Sequence, residues 1–200
     1  MVSRFGKTLA LTLVLVALSG AMGRAAAQGF AITPFIGMYL PMGPITDEEE
    51  FGVEIEQKST VVFGGRLLYR MQGNLGIEGE VGYASSELEA DGIEGEGGSI
   101  LFLAAKLLYF FGSAENLSFH IGGGVGMTDR GGDDWEGADD SSTLGAVLNF
   151  GAILPVGQSL KLRFDLEDYI SSLAPESDLD SKMQNDVLLT AGIQIGFGGN

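Results

Sequence analysis

The sequence predicts an all-β fold: an eight-stranded antiparallel up-and-down transmembrane β-barrel that follows an N-terminal signal peptide. Three observations support this fold class. Apolar and polar residues alternate with a period of two in eight separate segments, which is typical of strands rather than helices. The connections between these segments are alternately short and long, and almost all charged residues within the segments lie on one face. A transmembrane barrel combines these features, because its strands present one face to lipid and the other to the lumen.

The N-terminal segment, residues 1–27, has the pattern of a secretory signal peptide. Two basic residues, Arg4 and Lys7, precede an apolar stretch over residues 9–18, and the segment ends in three consecutive alanines. The apolar stretch is too short to span a bilayer, and the small residues suit a signal-peptidase site. We therefore expect cleavage after the third alanine, export from the cytoplasm, and a barrel domain over residues 28–200. An uncleaved membrane anchor is the alternative.

Composition excludes several classes of protein. The 200 residues include no cysteine, which rules out a disulfide scaffold, a thiolate metal site and a cysteine nucleophile. The 27 acidic residues outnumber the 11 basic ones, and the net charge of −16 argues against a nucleic-acid partner, because phosphates attract basic surfaces. The glycine-rich residues 122–126 lack the helix that follows a nucleotide-binding loop, so we interpret them as small lumen-lining residues and expect no cofactor.

The eight predicted strands differ in how clear their alternation is. The seventh is the sharpest, because leucine and phenylalanine alternate there with charged residues. The first is the weakest, because Phe35 and Tyr39 have inward parity. The fourth is largely apolar on both faces, which leaves open a soluble secreted barrel that binds an apolar ligand. The predicted strands are residues 30–41, 58–71, 74–85, 98–112, 116–128, 142–154, 159–171 and 185–198.

The last predicted strand ends in a segment that carries a family resemblance. Residues 190–197 read Thr-Ala-Gly-Ile-Gln-Ile-Gly-Phe, with a polar residue, a glycine and two spaced apolar or aromatic residues. With the eight-strand layout, this segment resembles the small eight-stranded outer-membrane β-barrel family of the OmpA and OmpX type. The resemblance assigns Gly192, Ile195 and Phe197 to an assembly signal, although this chain continues for three residues beyond Phe197.

The resemblance also implies a location and partners. It places the protein in the outer membrane of a Gram-negative-type bacterium, in contact with outer-membrane lipid and lipopolysaccharide. The barrel-assembly machinery would then be its partner during insertion. Most acidic residues lie in the four long connections, for example residues 47–50 and 129–140. Solvated, mutually repelling loops are the plain interpretation. Divalent cations that bridge these loops to lipopolysaccharide phosphates are a sharper hypothesis, because Ca²⁺ prefers oxygen ligands.

The inward face of the predicted strands carries charges of both signs. Eight strands enclose a space that side chains can fill, and a buried charge is tolerated there only when it is paired. We expect Arg66 to pair with Glu78 or Glu80 on the adjacent strand. We also expect Lys161 or Arg163 to pair with Asp165 or Glu167. A continuous water pore is therefore not expected. The predicted lumen charge network is Arg66, Glu78, Glu80, Lys106, His120, Lys161, Arg163, Asp165 and Glu167.

The predicted function is non-enzymatic. His120 has inward parity with Ser118 two residues away, and a nucleophile would need a base in hydrogen-bond reach and an oxyanion donor. The resemblance allows a rim-acting lipid-modifying hydrolase as the alternative, because some outer-membrane barrels deacylate lipid A with an outward Ser–His pair. We predict an outer-membrane barrel with a charge-filled, non-conducting lumen and long acidic extracellular loops. Its role would be structural or surface-interactive.

Overall fold

The computed structural model describes residues 29–42, 55–86, 88–90, 93–94, 97–113, 116–132, 142–157, 159–173 and 182–197. Within these ranges no helix is long and apolar enough to cross a membrane. The strands, in chain order, are β1 Phe30–Met42, β2 Ile55–Gln57, β3 Thr60–Arg70, β4 Leu75–Ser85, β5 Leu88–Ala90, β6 Ile93–Glu94, β7 Gly98–Gly112, β8 Ser118–Gly132, β9 Ser142–Pro155, β10 Leu160–Leu173 and β11 Lys182–Phe197.

Eight long strands form a closed antiparallel barrel, which confirms the predicted fold class. The order around the barrel is β1, β11, β10, β9, β8, β7, β4 and β3. Strand β1 closes the sheet by pairing with β11, where Phe30 lies opposite Phe197, and also pairs with β3. Closure leaves no barrel strand with an unpaired edge, as a sheet in lipid requires.

The two ends of the barrel differ in their connections. Strands β3 and β4 are joined by a tight turn in which Gly73 has a φ of +79°, a conformation that glycine adopts without strain. The β7–β8 and β9–β10 connections lie at this same end and are also short. At the opposite end, β2, β5 and β6 form a separate three-stranded sheet within the longer connections. The alternation of short and long connections therefore follows the predicted layout.

The outer surface of the barrel is apolar. Phe164 and Leu166 are 50% and 44% exposed, whereas the intervening Asp165 is buried. The same alternation continues around the barrel, with Ile36, Leu107 and Leu148 exposed on their own strands. The apolar face of each strand thus points away from the centre of the barrel. Lipid contact requires this arrangement, whereas a water-soluble barrel would avoid it.

Several strands extend further than the alternation predicts, β8 and β11 the most. Strand β8 continues to Gly132 instead of ending at 128, because its last residues pair with the start of β7. Strand β11 begins at Lys182 instead of 185, because Lys182 lies opposite Leu173. The residues added to β8 include Arg130, which is buried.

Candidate functional site: the barrel lumen

The lumen is filled by three layers of side chains. Along β7, for example, Phe102 lies in an apolar layer nearer the long connections, Lys106 in a charged layer, and Leu108 in an apolar layer nearer the short turns. The first apolar layer contains Phe35, Tyr39, Val62, Ala84, Ile100, Phe102, Val147, Tyr169 and Leu188, and the second contains Ala31, Leu68, Leu108, Phe110 and Ile153.

We call the charged layer the lumen charge cluster. Its members come from five strands, and their side chains have no solvent exposure. Inward glycines make room for these side chains; a Cβ on Gly151 would lie 2.3 Å from Cε1 of His120. The cluster consists of Arg66, Glu78, Glu80, Lys106, His120, Arg163, Asp165 and Glu167.

Arg66 uses its whole guanidinium group. Its Nε donates to Oε2 of Glu80 at 2.7 Å, and its Nη2 donates to Oε2 of Glu167 at 2.7 Å. Its Nη1 donates to Oδ2 of Asp165 at 3.2 Å. The guanidinium carbon Cζ lies over the Phe35 ring, 4.1 Å from the ring centroid. Arg66 therefore links β3 to β4 and, across the lumen, to β10. Charge-assisted bonds of this kind are stronger than neutral ones.

Arg163 forms the second branch of the cluster. Both of its terminal nitrogens donate to Glu78, with Nη2 at 3.0 Å from Oε1, and its Nε donates to Oδ2 of Asp165 at 2.9 Å. The planar guanidinium suits this two-pronged contact with a carboxylate. Arg163 thereby holds β10 to β4 on the far side of the lumen.

Lys106 lies among three carboxylates. Its Nζ contacts Glu80 and Glu167 and is 3.2 Å from Oε1 of Glu78. One oxygen from each of these glutamates lies within 4.8 Å of the others, an arrangement that would suit a metal ion. The ammonium group of Lys106 instead supplies the positive charge, and its three hydrogens match the three acceptors.

His120 belongs to the cluster and not to the membrane rim. Its Nε2 is 2.8 Å from Oδ1 of Asp165 and 3.2 Å from Nη2 of Arg163. It is the single histidine of the chain, and its side chain is fully buried. Its ring packs against Phe110 with the centroids 5.4 Å apart. A lipid-facing Ser–His pair therefore has no histidine available to it.

Lys161 does not join the cluster. It is only partly buried, and within the described ranges it makes no ion pair. Of the two bases expected to pair with Asp165 or Glu167, Arg163 does so, with its Nε 2.9 Å from Oδ2 of Asp165. The position of Lys161 explains the difference. It lies two residues closer to the short-turn end than Arg163, near the mouth of the barrel. A lysine there keeps its ammonium group in water and loses less hydration.

The structure adds a polar group at the opposite mouth that sequence reasoning missed. Nη2 of Arg130 donates to Oδ2 of Asp186 at 2.6 Å, and the Tyr39 hydroxyl donates to Oδ1 of the same carboxylate at 2.6 Å. Gln57 reaches this group from β2, with its Oε1 at 3.1 Å from the Tyr39 hydroxyl. Continued inward parity beyond residue 128 was the signal that could have placed Arg130 here.

The proposed assembly-signal residues lie on the strand that closes the barrel. Phe197 is half exposed on the outer face, opposite Phe30, and Ile195 lies opposite Ile32. Gly192 faces inward, where a Cβ would lie 2.7 Å from the carbonyl oxygen of Pro34.

Several sequence expectations lie outside the described residues. The signal peptide and the three residues after Phe197 are among them. So are the acidic runs at residues 47–50 and 133–140, on which the divalent-cation hypothesis depends.

Comparisons with known proteins agree with this geometry. A family model described as the outer membrane protein beta-barrel domain matches residues 10–200. The crystal structure of the outer membrane protein OprG from Pseudomonas aeruginosa is 15% identical, with a TM-score of 0.60, covering 88% of this chain and 99% of that chain. Neisserial surface protein A is 14% identical, with a TM-score of 0.53 and coverages of 84% and 97%.

The attachment invasion locus protein Ail of Yersinia pestis is 13% identical, with a TM-score of 0.53, covering 84% of this chain and 99% of that chain. At these identities the solved structures show a shared fold. No curated protein matches the chain.

Proposed function

The chain belongs to the outer membrane protein beta-barrel domain family, and from this premise we propose that it is a non-enzymatic, non-conducting barrel with a structural or surface-interaction role. The family confirms the resemblance found in the sequence and the location in the Gram-negative outer membrane, among lipid and lipopolysaccharide. The soluble secreted barrel is therefore excluded.

The observation that carries the proposal is the filled lumen. The side chains of the lumen charge cluster have no solvent exposure, and an apolar layer lies on each side of them. An ion on its way through would have to displace Phe102 and Tyr169, whose rings lie 5.3 Å apart, and then break several ion pairs. Moving ions through such a layer costs several kcal/mol or more, because the interior cannot replace their hydration.

Planar-bilayer recording tests the closed lumen directly. Purified protein, shown to be folded by its heat-dependent gel mobility, should give no stable large channels. The same preparation after thermal unfolding serves as the control for leakage that denatured protein causes. Large, stable conductance steps from the folded preparation alone would contradict the proposal.

The absence of catalysis is supported by the position of His120. A rim-acting hydrolase would need this histidine at the lipid surface, whereas the imidazole is buried and hydrogen-bonded to Asp165. Lipid A from cells that express the protein should keep all its acyl chains. Deacylation that depends on the wild-type protein and disappears with His120→Ala would overturn this part of the proposal.

The acidic loops are proposed as the surface-interaction part of the molecule. The four long connections hold most of the acidic residues of a chain in which 27 acids outnumber 11 bases. Such loops would set the local surface charge and attract cations or a basic partner. Calorimetric titration of the folded protein with Ca²⁺ should show saturable heat if the loops bridge to lipopolysaccharide through divalent cations. Heat of dilution alone would exclude this bridging.

The signal peptide is proposed on sequence grounds. Cleavage after Ala27 would leave Gln28 as the mature N-terminus, immediately before the described barrel. Mass spectrometry of protein from the outer-membrane fraction should give the mass of residues 28–200. A mass that includes residues 1–27 would show that the segment stays attached.

A further inference from the structure

The lumen charge cluster contains more acids than permanent bases. Its bases are Arg66, Lys106 and Arg163, and its acids are the four carboxyl groups of Glu78, Glu80, Asp165 and Glu167. All seven side chains are fully buried, between two apolar layers. An unbalanced charge in such an interior costs many kcal/mol, and a buried acid relieves this cost by keeping its proton. One additional proton would balance the charge of these seven groups.

His120 is not suited to carry this proton as an imidazolium. Its Nε2 already faces Asp165, but Nη2 of Arg163 is only 3.2 Å away, so an imidazolium would lie against a guanidinium. Its Nδ1 is buried and has no hydrogen-bond partner in the described part of the chain. A second N–H at that position would be a charged donor without an acceptor. The neutral imidazole, which donates once to Asp165, fits this environment.

Three of the carboxyl groups are held in the ionised form by their donors. Glu78 accepts from both terminal nitrogens of Arg163, and Asp165 accepts from Arg163 on both of its oxygens. Glu167 receives bonds on both oxygens, from Arg66 at one and from Lys106 and Asn149 at the other. A carboxylate that accepts charged donors on both oxygens is stabilised in its ionised form.

Glu80 differs from the other three. Both of its cationic contacts, from Arg66 and Lys106, reach the same oxygen, Oε2. Within the described chain the other oxygen, Oε1, has the Tyr169 hydroxyl at 3.4 Å, a distance too long for a strong bond. One oxygen of the Glu80 carboxyl also lies within 4.8 Å of an oxygen of the Glu167 carboxyl. Two carboxyl groups can bond directly only if one of them carries a proton.

We propose that Glu80 is a proton-binding site, a neutral carboxylic acid that donates to Glu167 and makes the lumen charge cluster electroneutral. The groups that face it are Arg66 on β3, Glu78 on its own strand, Lys106 on β7, and Glu167 and Tyr169 on β10. With the proton in place, three cations meet three carboxylates. Lys106 and Arg66 then bond to the carbonyl oxygen of the acid.

Carbon NMR of the folded protein in lipid bilayers, with isotopically labelled glutamate, tests the proposal at neutral pH. One glutamate carboxyl carbon should have the chemical shift of a protonated acid, and Glu80→Gln should remove that resonance without lowering the urea midpoint. The control Thr190→Val removes an uncharged partner of Arg66 and should leave the resonance in place. Glu80→Asp should move it to the aspartate region, which assigns the site even if the glutamine variant fails to fold.

A second variant tests the charge count itself. Glu78→Gln removes one negative charge, so Glu80 should ionise and the protonated resonance should disappear although Glu80 is present. The urea midpoint should fall in this case, because Arg163 loses its two-pronged acceptor. Three results would overturn the proposal: only ionised glutamates in the wild-type protein, a protonated resonance that survives Glu80→Gln, or nitrogen shifts that show an imidazolium at His120.

Discussion

At the scale of single residues, Arg163 shows how the barrel accommodates charge in its centre. The side chain is fully buried, and its nitrogens all lie within bonding distance of Glu78 or Asp165. The bonds offset the hydration that the guanidinium loses, and they do so only while both partners are present. The contribution of Arg163 therefore appears when it is removed, as the cost of carboxylates left without their counter-charge.

Arg163→Met should destabilise the folded barrel by about 3–5 kcal/mol, because Glu78 and Asp165 would keep their burial but lose their main cation. Reversible urea unfolding in lipid vesicles measures this. The matched control is Lys161→Met, on the same strand and parity but partly exposed and without an ion pair among the described residues, which should change stability by less than about 0.5 kcal/mol. Equal effects of the two substitutions would show that burial and pairing are not what matters.

Glycine supplies space to the cluster at Gly151. A Cβ there would lie 2.3 Å from Cε1 of His120 and 2.7 Å from Oδ1 of Asp165, and neither group can move away without breaking its bonds. Gly151→Ala should therefore cost roughly 1–3 kcal/mol in urea unfolding, the usual range for overpacking. Gly79→Ala is the control, because a Cβ at that lipid-facing glycine meets nothing within 4 Å. If both variants are equally stable, the inward glycines are not required for packing.

At the scale of strands, period-two alternation made the barrel predictable, because each strand has one face in lipid and one in the lumen. The ends of the strands were less predictable. Arg130 precedes two glycines, a composition typical of loops, yet register with β7 keeps it in β8. Tyr39 illustrates a related limit. Its inward parity weakened the prediction of the first strand, whereas in the structure the aromatic ring packs in the apolar layer of the lumen.

The pairing within the site was less predictable than its membership. Parity places a side chain inside the barrel, but it does not say which strand lies across the lumen. Arg66 meets Glu80 on the neighbouring strand and also Glu167 on β10, which is not adjacent to β3. Such contacts depend on the tilt and stagger of the closed sheet, which no single strand encodes. Parity alone also gave no indication that Lys161 lies at the mouth.

The closing strand β11 carries the proposed assembly signal, and two phenylalanines separate that role from simple lipid contact. Phe197 and Phe164 are equally exposed on the outer face, at 52% and 50%. Both alanine variants lose a similar amount of apolar contact with lipid, so a difference in rate reports recognition. Phe197→Ala should slow insertion into vesicles that contain the barrel-assembly machinery by several-fold, whereas Phe164→Ala should not. Equal rates would remove Phe197 from the signal.

At the scale of the whole molecule, two features together keep charged side chains out of lipid. One is the set of layers that fill the lumen, and the other is the apolar belt, the outward side chains such as Phe164 and Leu166. The belt places apolar side chains in lipid, where a charge at mid-depth would cost up to several kcal/mol. The lumen then has to hold the charges of the same strands, and it holds them by bonding across the barrel. Contacts of Arg66 and Lys106 join β3, β4, β7 and β10, which the backbone ladder alone connects only between neighbours.

This arrangement predicts where water can reach the wall of the folded barrel. The chain has no cysteine, so a single introduced thiol is the only one present. A thiol at Phe164→Cys, on the apolar belt, should stay unreactive toward a water-soluble maleimide in vesicles, because thiolates form and react in water. A thiol at Asn74→Cys, in an exposed turn, should react at once, and both should react after unfolding. Heat-dependent gel mobility confirms that each variant is folded before labelling. Fast labelling at 164 in the folded protein would show that water, and not lipid, covers this face.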